Sequence, residues 1–385
     1  MAEPEIAGAA AWVLEVDHQQ RPGQGRRVAG EVFLSRRLDE GGRVVSVLAD
    51  AAGQGVEASV VAHACAAMAL EIVAWNIDTA RAADLLMSSL PTGSGNPCAF
   101  TLVEVHSDGR TRIFVHGNPA PVRVRGGATV SYPVSSRSLP RWQGRVLEVS
   151  ECRCEPGDRL GLWSAGLLQG GDACGWGLAG IQDFLCDTLT RHPDLSARRL
   201  AERLLERSLL RSASEGTEDL TCGLIHLREP RVLHVLTGPP FDARRDGTFA
   251  GLLRLPGARK VICGGTTAQL VARELKRPLM SEGSPGEPLG GRLEGADLVT
   301  EGCLTLAHLE DLLACGESGG GSAAGQLLDL LLESDFIHFH VGTRVNEAHL
   351  DPELPVELDI RRNVVKRLGA LLERKHLKQT CITYY

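Results

Sequence analysis

A chain of 385 residues, 43% hydrophobic and 23% charged, has enough apolar material for two or three domains with cores of their own. A net charge of -7 argues against a general nucleic-acid binder, which needs clustered positive charge. No apolar run of about 18 residues is read, so no membrane span is expected, and the acidic start Met1-Ala2-Glu3-Pro4-Glu5 does not read as a secretory signal.

These features point to a cytoplasmic protein, in which the scattered cysteines are reduced packing thiols; the C-x-C pair Cys152 and Cys154 is a weak metal signal. Three basic pairs, Arg26-Arg27, Arg244-Arg245 and Arg361-Arg362, read as solvated surface.

In chain order, residues 12–33 are strand-like and interrupted by a Gly/Arg turn at 21–27. The β-rich run 44–49 ends at Asp50 and a glycine turn. The period then changes: Val61, Ala64, Cys65, Met68 and Ile72 fall on one helical face, which predicts a buried helix over 56–75, and a second helix spans 79–90. Strands at 99–105 and 111–115 flank Asp108-Gly109, a hairpin signal. Further strands are read at 122–124, 146–149, 159–163 and 220–227, with a helix at 196–210 capped by Ser196. Strands, a helix pair and more strands indicate an α+β sandwich over residues 1–228.

From 229 to 385 the pattern becomes α/β. A strand at 260–263 leads through Gly264-Gly265-Thr266-Thr267 into a helix at 268–275, a strand at 297–300 leads to a helix at 306–313, and a strand at 336–341 and a helix at 361–375 follow. The Gly/Ser/Ala-rich stretch 316–325 reads as a flexible loop. Backbone N–H groups at a strand-to-helix turn favour an anion, so Gly264, Gly265, Thr266 and Thr267 are candidate anion-binding residues; a tight turn accounts for them equally well. Neither a Walker ending nor G-x-G-x-x-G is present. The polar strand exits 297–301 and 342–349 are candidates to line the same pocket.

The chemistry-bearing stretch is Gly30-Glu31 together with Ala49-Asp50-Ala51-Ala52-Gly53-Gln54-Gly55. An acidic residue at one strand start and a second at the end of the next strand can aim carboxylates into one cleft for hard divalent cations, although strand-Asp-Gly turns also occur without any ion. With His116-Gly117-Asn118-Pro119, Pro156-Gly157-Asp158, Ser164-Ala165-Gly166 and Glu218-Asp219 in the same order, the chain resembles the SpoIIE-type branch of the PPM family of metal-dependent phosphatases. That branch shows Gly-Asp, Ser-Asp-Gly-x-Gly-x-Gly, an aromatic/Asn-Pro hairpin, Pro-Gly-Asp before Ser-Asp-Gly, and Asp-Asp.

The resemblance implies a PPM-type β-sandwich flanked by helices, and a bacterial signalling enzyme that hydrolyses phosphoserine or phosphothreonine in a protein substrate. Two Mg²⁺ or Mn²⁺ ions would activate the attacking water. It names Glu31, Asp50, Asp219 and the backbone carbonyl of Ala51 as metal ligands, with Asp50 and Asp219 central to catalysis. It also implies that the two helices after Asp50 can form a dimer interface, for which the alanines at 62, 64, 66, 67 and 69 suit the helix 56–75, while ordinary core packing accounts for the same alanines.

Departures are equally specific. Ala165 stands where the family has a metal-ligating Asp, Glu31 replaces Asp, Ala51 replaces Gly, and Glu218-Asp219 replaces Asp-Asp. Glu218, Asp158 and Asp172 are candidate compensating ligands. Two readings follow: a phosphatase whose two-metal site is degraded to one ion, or a pseudophosphatase that binds a phosphoprotein or ligand. With the blocks Thr237-Gly238-Pro239-Pro240-Phe241, Gly264-Gly265-Thr266-Thr267 and Asp297-Leu298-Val299-Thr300-Glu301-Gly302, the stretch after 229 resembles a C-terminal domain of a SpoIIE-type subgroup, a resemblance that supplies no function for it.

Overall fold

The computed structural model describes residues 12–38, 42–90, 97–169, 176–211, 218–282, 290–315, 320–344 and 357–385. The chain divides into two compact units, Met1–Glu229 and Pro230–Tyr385. Unit 1 opens with β1 (Val13–Arg21), β2 (Glu31–Leu38) and β3 (Arg43–Ala51), then α1 (Gly55–Ala74) and α2 (Thr79–Ser89). A meander follows: β4 (Cys98–His106), β5 (Arg110–His116), β6 (Val122–Arg125), β7 (Ala128–Thr129), β8 (Ser135–Arg137), β9 (Leu147–Arg153) and β10 (Arg159–Trp163). The unit ends with α3 (Ala165–Gln169), α4 (Gly177–Arg191), α5 (Ala197–Arg211) and β11 (Leu220–Arg228).

Two antiparallel sheets result, β1-β11-β10-β6-β7 and β2-β3-β4-β5-β9-β8. The central strands β3, β4 and β11 are buried along nearly their whole length, so both faces of each sheet are covered: the sheets stack on one another and carry helices outside. The aromatic ring of Phe33 on β2 fills the space that a side chain at Gly223 on β11 would take. Val45, Val47 and Ala49 of β3 pack with α1 and α2, whereas Val122, Leu224 and Trp163 of the other sheet pack with α4 and α5.

The sequence phase of α1 needs correction. Its buried stripe is Ala58, Ala62, Cys65, Ala66, Ala69, Leu70 and Val73, while Val61 and Met68 are exposed. A helix apolar all round gives no periodic contrast; the small side chains lie inward because only they allow the helix close to the sheet. The same apolarity corrects the expectation of no membrane-length segment: Gly55–Ala74 is by length and composition apolar enough to cross one, and 44% of its most apolar window is buried inside the fold.

Unit 2 runs β12 (Val232–Thr237), α6 (Asp246–Gly251), β13 (Ala258–Cys263), α7 (Gly265–Leu275), β14 (Leu279–Glu282), β15 (Gly290–Leu293) and β16 (Leu298–Thr300). It continues with α8 (Cys303–Cys315), α9 (Ala323–Leu332), β17 (Phe336–Val341), α10 (Glu357–His376) and β18 (Gln379–Tyr384). One sheet in the order β14-β15-β16-β13-β12-β17-β18 is parallel from β16 to β18. Part of the stretch expected to be a flexible loop is helical: the Ser322 hydroxyl caps α9 by accepting from Gly325 N at 3.0 Å. Residues 316–319 of that stretch lie outside the described residues.

A buried charge ties unit 1 together at its terminal strands. Glu15 on β1 accepts from Arg228 Nε at 2.7 Å on β11 and from the N–H of Ala197, the first residue of α5, at 3.1 Å. Burial alone would raise the Glu15 carboxyl, but its neighbours His226 and Arg228 hold it well below the ordinary carboxylate range. Its contribution to stability is therefore present above the unfolded value near 4.5 and is lost as pH falls below it. Glu15→Ala leaves Arg228 buried without its counter-ion and is expected to cost about 3–5 kcal/mol at neutral pH in urea unfolding; a loss under about 1 kcal/mol would show the pair to be solvated.

Candidate functional site

Strand pairing builds the site. The β2–β3 register sets Glu31 directly across from Asp50, and the β3–β4 register sets Asp50 across from Ala99. Beyond Ala51 the chain turns into α1 through Gly53 and Gly55, with φ of 105° and 74°, values that favour glycine. On the other sheet, β10 delivers Ser164-Ala165-Gly166 beside the entry to β11. Ser164 N donates to Thr221 O at 3.0 Å, and Thr221 N donates to Ser164 Oγ at 3.1 Å. Gly166 lies so close to Asp219 that a Cβ there would collide with the Asp219 carbonyl oxygen. Glu31, Asp50, Ala165, Glu218 and Asp219 thus come together.

Each acid is in a different electrostatic state. Glu31 is 3% exposed, and its Oε1 has no partner among the described residues. Burial, reinforced by the charges of Asp50 and Asp219 and opposed by hydrogen bonds from Thr221 and Ser164, pushes its carboxyl up to about 8. Asp50 is pushed up to about 6 by burial, then by Asp219 and Glu218, while the Ala165 N–H donates to it and works the other way. Asp219 is fully engaged: Oδ1 accepts from Gly23 N at 2.7 Å and lies 3.3 Å from Arg26 Nη1, and Oδ2 accepts from Gly30 N at 2.6 Å. Glu218 is exposed, and Ala51 is buried with its N–H donating to Gly30 O at 3.1 Å.

Arg26 is the residue that sequence reasoning missed. It was expected on solvated surface with Arg27, and instead its guanidinium pairs with Asp219. The available signal was its place in the Gly/Arg turn just before Gly30-Glu31. The other basic pairs also need correction. Arg244 is exposed beside Asp242, but Arg245 stacks on the Tyr385 ring, and Arg361 and Arg362 each have a buried Nε.

Of the compensating ligands, Asp158 is buried elsewhere, held by Arg125 at 2.6 and 2.9 Å, and Asp172 lies outside the described residues. Asn118 donates to Leu48 O at 3.2 Å, which fastens the His116–Pro119 turn to β3 two residues before Asp50. In unit 2, Gly264 caps α7 with φ 128°, and a Cβ there would sit 3.0 Å from Thr267 Oγ1, so this turn is tightly closed. Residues 345–349 lie outside the described residues.

A pair of divalent ions needs several oxygen donors converging on each. The residues present do not fit that centre as they stand. Ala165 supplies a methyl group and an N–H where a carboxylate would be needed, and both Asp219 oxygens have protein donors. Among the described residues no group of three or more His, Cys, Asp or Glu side chains is placed to hold an ion. The orphaned Glu31 Oε1 and the crowded Asp50 are the acidic remainder.

Residues 40–228 match the family model for stage II sporulation protein E (SpoIIE). The crystal structure of the RsbU and RsbW domains of Rv1364c from Mycobacterium tuberculosis is similar at 18% identity and TM-score 0.50, over 63% of this chain and 68% of that one. The phosphatase domain of the cell fate determinant SpoIIE from Bacillus subtilis is similar at 16% identity and TM-score 0.47, over 57% of this chain and 94% of that one. The catalytic domain of the serine/threonine protein phosphatase PstP, in complex with two manganese ions, is similar at 13% identity and TM-score 0.36, over 57% and 100%. At these identities the likeness is one of fold. No curated protein matches the sequence.

Glu31 gives a test that needs no ligand. A carboxyl whose folded value is raised contributes stability fully below its unfolded value near 4.5 and loses it as pH climbs through about 8. In EDTA, the unfolding free energy should fall by about 1–3 kcal/mol between about pH 5 and about pH 9, and Glu31→Gln should flatten that slope. An identical pH profile in the two proteins would show that Glu31 is not the group responsible.

Proposed function

Because this chain belongs, through residues 40–228, to the SpoIIE family of PPM-type serine/threonine phosphatase domains, we propose that it is a phosphatase-fold signalling module. In this reading hydrolysis is weakened or lost, and the site engages a phosphorylated protein. The observation that carries the reading is the state of Asp219 beside Ala165. A guanidinium and two backbone N–H groups take up the carboxylate, and the neighbouring position offers no second one. Arg26 is a cation of the kind a phosphoryl group pairs with, and because it already pairs with Asp219 a phosphorylated partner would compete with that carboxylate for it.

Metal-dependent phosphoserine and phosphothreonine hydrolysis is the competing reading. Four acids still gather at one place, and Glu31 Oε1 has no partner among the described residues, a feature that a cation would remove. Hydrolysis of p-nitrophenyl phosphate with Mn²⁺, Mg²⁺ or EDTA separates the two. The expected result is turnover near background in every metal for the wild type, rising about 10–100-fold with Mn²⁺ in Ala165→Asp, the effect of restoring a ligand. Robust Mn²⁺-dependent turnover by the wild type, abolished by Asp50→Asn, would establish the enzyme instead.

A homodimer through α1 belongs to the same reading. Outside the buried stripe, Val56, Val60, Val61, Met68 and Trp75 are exposed, Val60 by 62% and Trp75 by 77%, which leaves a largely apolar face interrupted by Glu57 and Glu71. Light scattering at micromolar concentration should give a dimer mass for the wild type and a monomer mass for Val60→Glu. A monomeric wild type would remove the dimer from the proposal.

A further inference from the structure

In unit 2 the parallel strands lie in the order β16-β13-β12-β17-β18, so the chain builds outward from β12 on one side through β13 and β16 and on the other through β17 and β18. Where the order reverses, loops leaving adjacent strands diverge to opposite faces, and the crevice outside their carboxyl ends is a natural ligand site in open α/β sheets. Here that point lies between Thr237-Gly238-Pro239 after β12 and Gly342-Thr343-Arg344 after β17. The two exits are close: Gly342 N donates to Thr237 O at 2.8 Å.

Two unmet hydrogen-bonding groups sit there. Thr237 is 0% exposed, and its Oγ1 has no partner among the described residues. Leu233 and Val235 of β12 share a core with Val364 and Leu368 of α10. Thr237 continues that alternation, so its side chain is on the α10 face. Arg361, early in α10, lies over the next residue of the strand exit, with its Cζ 3.0 Å from where a Cβ on Gly238 would be. Among the described residues its Nε is buried without a partner, and its Nη1 has a long contact of 3.5 Å with Gly342 O. Arg362, next on α10, also has a buried Nε without a hydrogen-bond partner among the described residues, and its guanidinium lies over the Tyr384 ring of β18.

Buried polar atoms are almost always paired, so a cluster of unpaired ones marks a missing group. A guanidinium that carries permanent charge and presents only N–H donors specifies that this group is an anionic acceptor. We propose that unit 2 binds a phosphate-bearing small molecule at the β12/β17 exit, with phosphate oxygens accepting from Arg361 and from the Thr237 hydroxyl. The Gly264–Thr267 turn, which helps start α7, borders the same end of the sheet from its other face, where Ala268 packs with Leu236 and Ile262. Nearby charge is mixed. Arg344 and Arg273 share Asp246, Arg245 lies over the Tyr385 ring, and Glu301 follows β16.

The test is calorimetric titration of the full chain with inorganic phosphate and with ADP, repeated in Thr237→Val, Arg361→Gln and Arg26→Ala. Saturable binding is expected in the wild type and in Arg26→Ala, weakened at least about tenfold in Thr237→Val and in Arg361→Gln. Thr237→Val preserves shape, so it decides the matter if Arg361→Gln fails to fold. Binding of phosphate as tight as that of ADP assigns a free anion, and binding of ADP alone assigns a nucleotide-like ligand. No saturable binding of either probe, or affinity unchanged in Thr237→Val, would overturn the proposal; loss in Arg26→Ala would place binding in unit 1 and overturn it equally.

Discussion

The carboxylate of Asp219 holds the candidate site together. Its two oxygens collect the N–H of Gly23, the N–H of Gly30 and the guanidinium of Arg26, so the segment before β2 is fastened to the entry of β11. Charge-assisted hydrogen bonds of this kind are roughly twice as strong as neutral ones. The fastening fixes where β2 begins, and therefore where Glu31 stands opposite Asp50. The same contacts supply Asp219 with a positive neighbour. The arrangement that gathers the acids also neutralises one of them.

That neutralisation is compounded by the proton on Glu31. With its carboxyl pushed up to about 8, Glu31 is mostly uncharged at neutral pH. A dication arriving there must displace the proton, which takes about 1.4 kcal/mol for each pH unit below the carboxyl's own value. In the family pattern an additional carboxylate would help to draw the ion in; here Ala165 contributes an N–H to Asp50 instead. Ligand number, proton competition and the Arg26 ion pair all act in the same direction. These features support the proposed reading, in which the phosphatase fold is kept and the hold on an ion is weakened.

How much of this was legible in the sequence depends on whether local pattern or distant contact decides it. The run 44–49, the Asp108-Gly109 hairpin and the strand–Gly-Gly–helix passage at 260–275 appear because period and turn chemistry are local; so does the α+β character of unit 1. The phase of α1 was illegible, since an apolar residue at nearly every position carries no face, and only packing against β3 selects Ala58, Ala62 and Ala66 for the inside. Helix α4 shows Ile181, Leu185, Thr188 and Leu189 at helical spacing and could have been read. β18 is a short strand whose place is fixed by pairing with β17, a contact no window on the sequence contains. Arg26 was missed for the same reason: its partner is Asp219, 193 residues away.

Unmet polar atoms separate the two units chemically. In unit 1 the orphan is an acceptor, Glu31 Oε1, in a crowd of acids, and it can be relieved by a proton as readily as by an ion. In unit 2 the buried orphans at the β12/β17 exit, among the described residues, are the Thr237 hydroxyl and the Nε–H of Arg361. A guanidinium cannot shed its proton at any pH a protein survives, so it has no internal remedy of that kind. Its unmet N–H groups persist until an acceptor arrives from outside. An acid site can be silenced by titration, whereas a guanidinium with an unpaired Nε–H keeps its charge and its donor at every such pH.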